Sequence, residues 1–340
     1  MMRLPLFRYA APRTLDEAAR ILAAEGPSAM LLAGGTDLLP NMKRRQQTPA
    51  VVVGLRQVEG LHGARWNGGT ATLGACTTLT SIVRDARLAT QARALWEAAA
   101  QIATPHLRNM GTLGGNLCLD TRCNYYNQNY EWRKAIDFCL KKDGETCWVA
   151  TASRRCVAVS STDCAPALIA LGAKVRLVSA AGEREIAAAD LYLNDGIDYL
   201  ARKPDEILAE VRLPDAKGWK SCYWKLRRRG AFDFPVLGVA AAVRAAPDGT
   251  VQDARIVLGA VASRPVVTKG GDVLVGRRLT DEVIAEAGTK VASRAKPLDN
   301  ADLDIYWRKD VVGSFVGYAL RELRGDDMSA TRLRIARHAV

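Results

Sequence analysis

Eight cysteines are spread unevenly through this 340-residue chain. Cys118, Cys123, Cys139, Cys147, Cys156 and Cys164 fall in one stretch, and the remainder holds only Cys76 and Cys222. The N-terminus, MMRLPLFRYAAPRT, has no apolar segment before its prolines and arginines, so no secretory leader is expected and the expected compartment is the cytoplasm. Chains kept in a reducing compartment rarely retain disulfides. Such a concentration of thiols therefore points to metal binding or redox chemistry.

Two glycine loops are the second chemical feature. Gly34-Gly35-Thr36-Asp37 follows a short apolar run, and Thr112-Leu113-Gly114-Gly115-Asn116 follows a helical segment and loop. Glycine lets a backbone approach a pyrophosphate closely, and successive N–H groups can form an anion nest. Neither loop is the G-x-G-x-x-G dinucleotide fingerprint, so an NAD-binding Rossmann domain is unsupported. Two such loops on separate units predict a cleft between them, where an extended cofactor could lie.

The elements that must position these residues read as two or three modest domains. Hydrophobic residues make up 49% and charged residues 25%, as in a soluble globular protein, and no run approaches the length needed to span a bilayer. The net charge of +12 raises nucleic-acid binding. Long basic runs are absent, the densest being Lys225-Leu226-Arg227-Arg228-Arg229, and no nucleic-acid motif spacing occurs, so that class is rejected. A basic surface suits a flavin pyrophosphate, an acidic redox protein or a partner subunit.

Thr14 and Glu17 form a capping box for a helix with Leu15, Ala18, Ala19 and Leu22 on one face, and Gly26 marks its end. Ala29–Ala33 and Val51–Val53 read as buried parallel strands. A strand is expected around Ala71–Ala75, helices over Thr78–Arg87 and Leu88–Ala103, and a strand at Lys174–Leu177. Residues 117–160 show no sustained period, yet Tyr125, Tyr126, Tyr130, Trp132, Phe138 and Trp148 argue against disorder. Beyond Pro214, Val236–Val243 and Ala254–Val261 read as a hairpin turned by Pro247-Asp248-Gly249. Helices follow over Asp281–Ala292 and through Val312, Phe315, Val316, Ala319, Leu320 and Leu323 to Gly325. The last residues read as a frayed or partner-bound tail.

AMLLAGGTDLLPNMK, RNMGTLGGNL, TDCAPALIALGAKV and DEILAEVRLP, in that order, resemble the FAD subunits of the xanthine dehydrogenase and carbon monoxide dehydrogenase family. The resemblance runs from about residue 5 to 325. It implies an α+β chain: a two-subdomain FAD-binding fold of the PCMH type, then a C-terminal three-stranded sheet with helices, as in CO dehydrogenase flavoproteins. The implied domains are 1–60 and 61–215 for the two FAD subdomains, with a cysteine-rich insertion at 117–160. A C-terminal domain at 216–325 and a tail at 326–340 complete the chain. By the same resemblance Leu31, Leu32, Ala33, Gly34, Gly35, Thr36, Asp37 and Leu38 wrap the pyrophosphate. Thr112, Gly114, Gly115 and Asn116 hold the phosphates and ribityl chain from the other side, and Asp163 accepts hydrogen bonds from cofactor hydroxyls. Leu208 packs near a ring of the cofactor, and Lys225 lies near the flavin's polar edge.

One departure narrows the resemblance. Most relatives have a short connection between the glycine loop and the aspartate equivalent to Asp163, whereas here Asn116 and Asp163 flank a long insertion. NLCLDTRCNYYNQ, FCLKKDGETCW and RRC resemble the flavin subunits of 4-hydroxybenzoyl-CoA reductases, whose insertion binds a [4Fe–4S] cluster. That implies Cys123, Cys139, Cys147 and Cys156 as ligands. Their spacing matches no ferredoxin run, and four thiolates can serve zinc or iron. The histidines, His62, His106 and His338, all lie outside the insertion, which disfavours a mixed Cys/His zinc site. Cys118 could replace one ligand but is read as a packed thiol near the flavin, and Cys76, Cys164 and Cys222 as core residues.

The implied partners are a large molybdopterin subunit, a small subunit with two [2Fe–2S] clusters, and ferredoxin or another redox protein. The implied assembly is a dimer of heterotrimers. Electrons would pass through FAD and cluster to reductive dehydroxylation of an aromatic CoA thioester at molybdenum on another subunit. Two alternatives stand beside this: the flavin subunit of a molybdenum hydroxylase oxidising an aromatic or heterocyclic substrate, and a zinc-stabilised module without redox activity.

Overall fold

The computed structural model describes residues 3–337; His338 and the two residues after it lie outside. Strand β1 (Arg8–Ala10) leads into helix α1 (Leu15–Glu25). The Thr14 hydroxyl accepts the Glu17 N–H at 3.1 Å, and the Glu17 carboxylate accepts the Arg13 N–H at 2.8 Å, which satisfies two otherwise unpaired donors. Gly26, at φ 56°, ends the helix. Strand β2 (Ala29–Leu32), helix α2 (Leu38–Lys43) and strand β3 (Val51–Gly54) complete the unit, a parallel sheet ordered β1-β3-β2. The β-branched run of β3 occupies the buried centre. Strand β1 is too short to show a period in the sequence.

Strands β4 (Ala64–Asn67) and β5 (Thr70–Gly74) open the second unit. Helices α3 (Leu79–Arg84), α4 (Ala86–Gln91) and α5 (Arg93–Ala100) follow. The expected helix boundary moves to Asp85, whose carboxylate accepts the N–H groups of Arg87 and Leu88 and so caps α4. Helices α6 (Pro105–Arg108) and α7 (Leu113–Leu117) carry the second glycine loop, α8 (Tyr130–Ala135) lies in the insertion, and α9 (Cys164–Ala170) follows it. Strands β6 (Lys174–Ser179), β7 (Gly182–Ala187) and β8 (Ile207–Leu213) close an antiparallel sheet ordered β4-β5-β8-β6-β7.

The third unit is an antiparallel sheet of β9 (Trp219–Leu226), β10 (Leu237–Ala245), β11 (Val251–Gly259) and β12 (Val266–Val267). The three long strands match the expected sheet, and β12 adds a two-residue edge pairing. Helices α10 (Asp281–Ala292) and α11 (Ile305–Arg324) cover one face. Successive strand residues point to opposite faces. Cys222, Trp224 and Leu226 thus pack under α10 and α11, while Tyr223 joins the core built around α5 and α9. Lys225 shares Tyr223's side of the strand, which determines its surroundings.

The tail differs from expectation. Residues Ser329–Arg337 form helix α12, which packs back onto the fold. Arg332 there bonds Glu97 and Glu322 and stacks over Trp224, 4.2 Å from the ring centroid.

Candidate functional site: a glycine cleft beside a four-cysteine cavity

The two glycine loops meet. A β-carbon added to Gly34 would stand 1.9 Å from the carbonyl oxygen of Met110, so the backbones touch where only glycine fits. A β-carbon on Gly115 would lie 3.9 Å from Ala33. Gly35 holds φ 75°, which favours glycine. Among the described residues, the N–H groups of Gly34, Gly35, Thr36 and Asp37 donate to no protein acceptor.

The second loop is pinned from below. Gly114 donates to the Ala75 carbonyl at 2.8 Å, and the Thr112 hydroxyl accepts the Gly115 N–H at 3.1 Å. The Asn116 amide oxygen accepts from the Thr162 hydroxyl at 2.7 Å and the Cys164 N–H at 3.0 Å, tying the loop to the start of α9. Leu38 is core, as is Leu208, which packs in the cluster containing Leu113 and Leu117, while Leu31 and Leu32 are half-buried.

Asp163 occupies the N-cap position just before α9, but its side chain makes no capping bond. Its carboxylate instead accepts from the Tyr223 hydroxyl at 2.8 Å and the Lys225 ammonium at 2.9 Å. Lys225 also donates to the Gln101 carbonyl, as does Arg227. Burial pushes the Asp163 carboxyl up and the Lys225 ammonium down, against the opposing pull of each partner. Lys225 is therefore no surface lysine, and Asp163 is buried with both oxygens bonded.

Asp37 faces the root of the insertion. Its carboxylate accepts the Asp120 N–H at 3.3 Å and pairs with Arg122, which also bonds Asn41. Beyond lies a cavity lined by Cys123, Cys139, Cys147 and Cys156, with Lys141, Trp148 and several apolar side chains. Cys118 is not among its walls. Ala158 donates its N–H to the Cys156 sulfur at 3.4 Å. Burial pushes the Cys123 thiol up to about 12 and Cys156 up to about 11, although Lys141 draws the latter down. All eight cysteines are free; Cys76, Cys164 and Cys222 are core residues. Among the described residues, no three His, Cys, Asp or Glu side chains are gathered as ligands for a metal ion.

Sequence reasoning missed several residues here. Lys141 resembles any other lysine until its surroundings are known. Gly196, in a turn-like Asn-Asp-Gly, leaves room for Cys156: a β-carbon there would lie 2.6 Å from its sulfur. A cavity of about 110 Å³ between Trp66 and Trp219 includes no residue of either glycine loop in its walls.

Two glycine loops that meet between α/β units, one with unpaired backbone N–H groups, suit a long phosphate-bearing cofactor. Residues 5–216 match the FAD binding domain in molybdopterin dehydrogenase, and residues 221–323 match the CO dehydrogenase flavoprotein C-terminal domain. The chain belongs to the family of FAD-binding medium subunits of molybdenum hydroxylases. It is 28% identical to the carbon monoxide dehydrogenase medium chain of Hydrogenophaga pseudoflava, over 93% of this chain and 96% of that one. It is 30% identical to the nicotinate dehydrogenase FAD-subunit of Eubacterium barkeri, over 82% of each. The crystal structure of carbon monoxide dehydrogenase from H. pseudoflava superposes with a TM-score of 0.77 at 27% identity, covering 94% of this chain and 98% of that one. Among the described residues, no helix is long and apolar enough to cross a membrane.

Proposed function

We propose that this chain is the FAD- and [4Fe–4S]-bearing electron-transfer subunit of a 4-hydroxybenzoyl-CoA reductase-like complex. One observation carries the reading: Cys123, Cys139, Cys147 and Cys156, distant in sequence, line one cavity at the root of an insertion that springs from the flavin loop. Four thiols around a cavity, with a backbone N–H aimed at one sulfur, suit a cluster held by cysteines.

The residues of the cleft fit FAD. Unpaired N–H groups at Gly34–Asp37 and the close approach at Gly34 leave a cradle for the pyrophosphate along Leu31–Leu38. Thr112, Gly114, Gly115 and Asn116 form the facing wall, Asp163 and Lys225 orient polar groups at its end, and Leu208 supports it from the core. When bound, flavin exchanges one or two electrons and a cluster one at a time. The protein's contribution is to hold both sites on one rigid seam and keep water from the sulfurs.

The proposed domains are 1–60 and 61–215 with the insertion 117–160, then 216–325 and the tail. Proposed partners are a large molybdopterin subunit, where the thioester substrate is reduced, a small subunit with two [2Fe–2S] clusters, and ferredoxin as donor in the cytoplasm. The named relatives favour a second reading, a hydroxylase subunit that passes electrons outward, as in nicotinate dehydrogenase. A zinc module without redox activity does not describe a member of this flavoprotein family.

The test is flavin, iron and sulfide content of the anaerobically purified complex with Cys139→Ala and Cys118→Ala. Cys139→Ala is expected to lose the four-iron cluster, keep FAD, and become protease-sensitive between Cys118 and Asp163, because bonds to metal supply most of the order in a segment with little core. Iron lost from Cys118→Ala instead, or zinc in the wild type, would sink the assignment.

A further inference from the structure

Of the residues lining the four-cysteine cavity, Lys141 alone carries a charge. Its side chain is 7% exposed and its partner Asp120 is 5% exposed. The ammonium donates to the Asp120 carboxylate at 2.8 Å, the Thr121 hydroxyl at 2.8 Å and the Gly196 carbonyl at 2.5 Å, which uses all three of its N–H bonds. The rings of Tyr126 and Tyr199 flank it at 4.9 and 5.3 Å. Asp120 is not a wall of the cavity, and its carboxylate also accepts from the Tyr126 hydroxyl and the Gln47 amide. The pair is thus a buried dipole whose lysine belongs to the cavity wall and whose aspartate does not. Burying a lysine in an ion pair carries a desolvation cost, offset here by its three hydrogen bonds.

We propose that Lys141 sets the reduction potential of the group held by the four cysteines, resting on the iron–sulfur reading above. Four thiolates around an iron–sulfur core leave a net negative charge, and reduction adds one electron without moving an atom or proton. A cation buried beside the cavity stabilises the more negative, reduced form, and burial keeps its field poorly screened. Asp120 opposes this, but unlike Lys141 it is not a wall of the cavity. The result is a potential higher than the same cluster would have without the lysine.

The experiment is an anaerobic redox titration of the purified complex, followed by electron paramagnetic resonance of the four-iron signal. Lys141→Met should favour the oxidised form by on the order of tenfold, a negative shift of about 59 mV for a one-electron couple. Asp120→Asn should shift the potential the other way, and the double variant should fall between. Opposite signs follow from charge and not from general damage to the insertion. Unchanged potentials, or shifts of one sign in both variants, overturn the proposal. If Lys141→Met fails to retain iron, Asp120→Asn decides alone: a positive shift supports the proposal, and no shift or a negative one overturns it. A wild-type complex without a four-iron signal refutes the underlying cluster reading, which is distinguishable because it appears before any substitution is made.

Discussion

Lys225→Met should destabilise the protein far more than the pair Lys225→Met with Asp163→Asn. The Lys225 and Asp163 side chains are 0% and 4% exposed and 2.9 Å apart. At that separation, with an effective dielectric constant of about 20, their attraction is about 6 kcal/mol. Desolvation costs several kcal/mol for each ion. Both groups are shifted as burial dictates, the carboxyl up and the ammonium down, so desolvation outweighs the partner in each case. The intact pair therefore contributes little net stability. Removing Lys225 alone leaves a buried carboxylate with only the Tyr223 hydroxyl, at a cost of about 3–5 kcal/mol. Neutralising both should recover most of that loss. The stability Asp163 confers is complete below the unfolded carboxyl pKa and is lost as pH rises through its higher folded value. Lys225, with its folded value depressed, confers stability that is complete above the unfolded lysine pKa and lost as pH falls through its lower folded value. Urea denaturation of flavin-depleted protein measures the cycle without the contribution of ligand binding. A double variant as unstable as the sum of the two single variants would refute the reasoning.

Two further predictions concern the glycine cleft and the C-terminal helix. Gly34→Ala must separate the loops by more than about 1 Å to reach ordinary carbon contact distances, so flavin content should fall at least tenfold; unchanged flavin would show that the loops need not touch. Arg332→Ala removes a partly exposed guanidinium from Glu97, Glu322 and Trp224. It should cost about 1–2 kcal/mol and speed tryptic cleavage within α12, and a tail digested at the wild-type rate would show that the helix is held by other contacts.

Features decided within a few residues were legible in the sequence. Thr14 and Gly26 bound α1 because a hydroxyl and a positive φ act locally. The β-branched run at Val51–Val53 reads as a buried parallel strand, and the one-sided apolar positions of α11 read as a helix on a core. The glycine loops and flanking motifs named the flavoprotein family, because binding a pyrophosphate requires contiguous backbone. Where local signals compete, the elements are not legible: Asp85 caps α4 inside an expected helix, and α8 and α12 show too little period to read as helices. Strand β1 and the pairing of Gly34 with Met110 carry no local signature.

The cysteines illustrate the division most clearly. Their number and crowding in the sequence announced redox or metal chemistry, while only the tertiary structure put four of them around one cavity and left Cys118 outside it. Lys141, Asp120 and Gly196 approach that cavity from separate segments, and Asp163 meets Lys225 across 62 residues. Such meetings depend on strand order and on which face of a strand a side chain occupies, properties of the whole packed chain. The sequence by itself determined local elements, cofactor-binding loops and the family, since these rest on short-range hydrogen bonding and residue type. The tertiary structure decided which charges are buried together, because burial and pairing exist only once distant segments have closed over them.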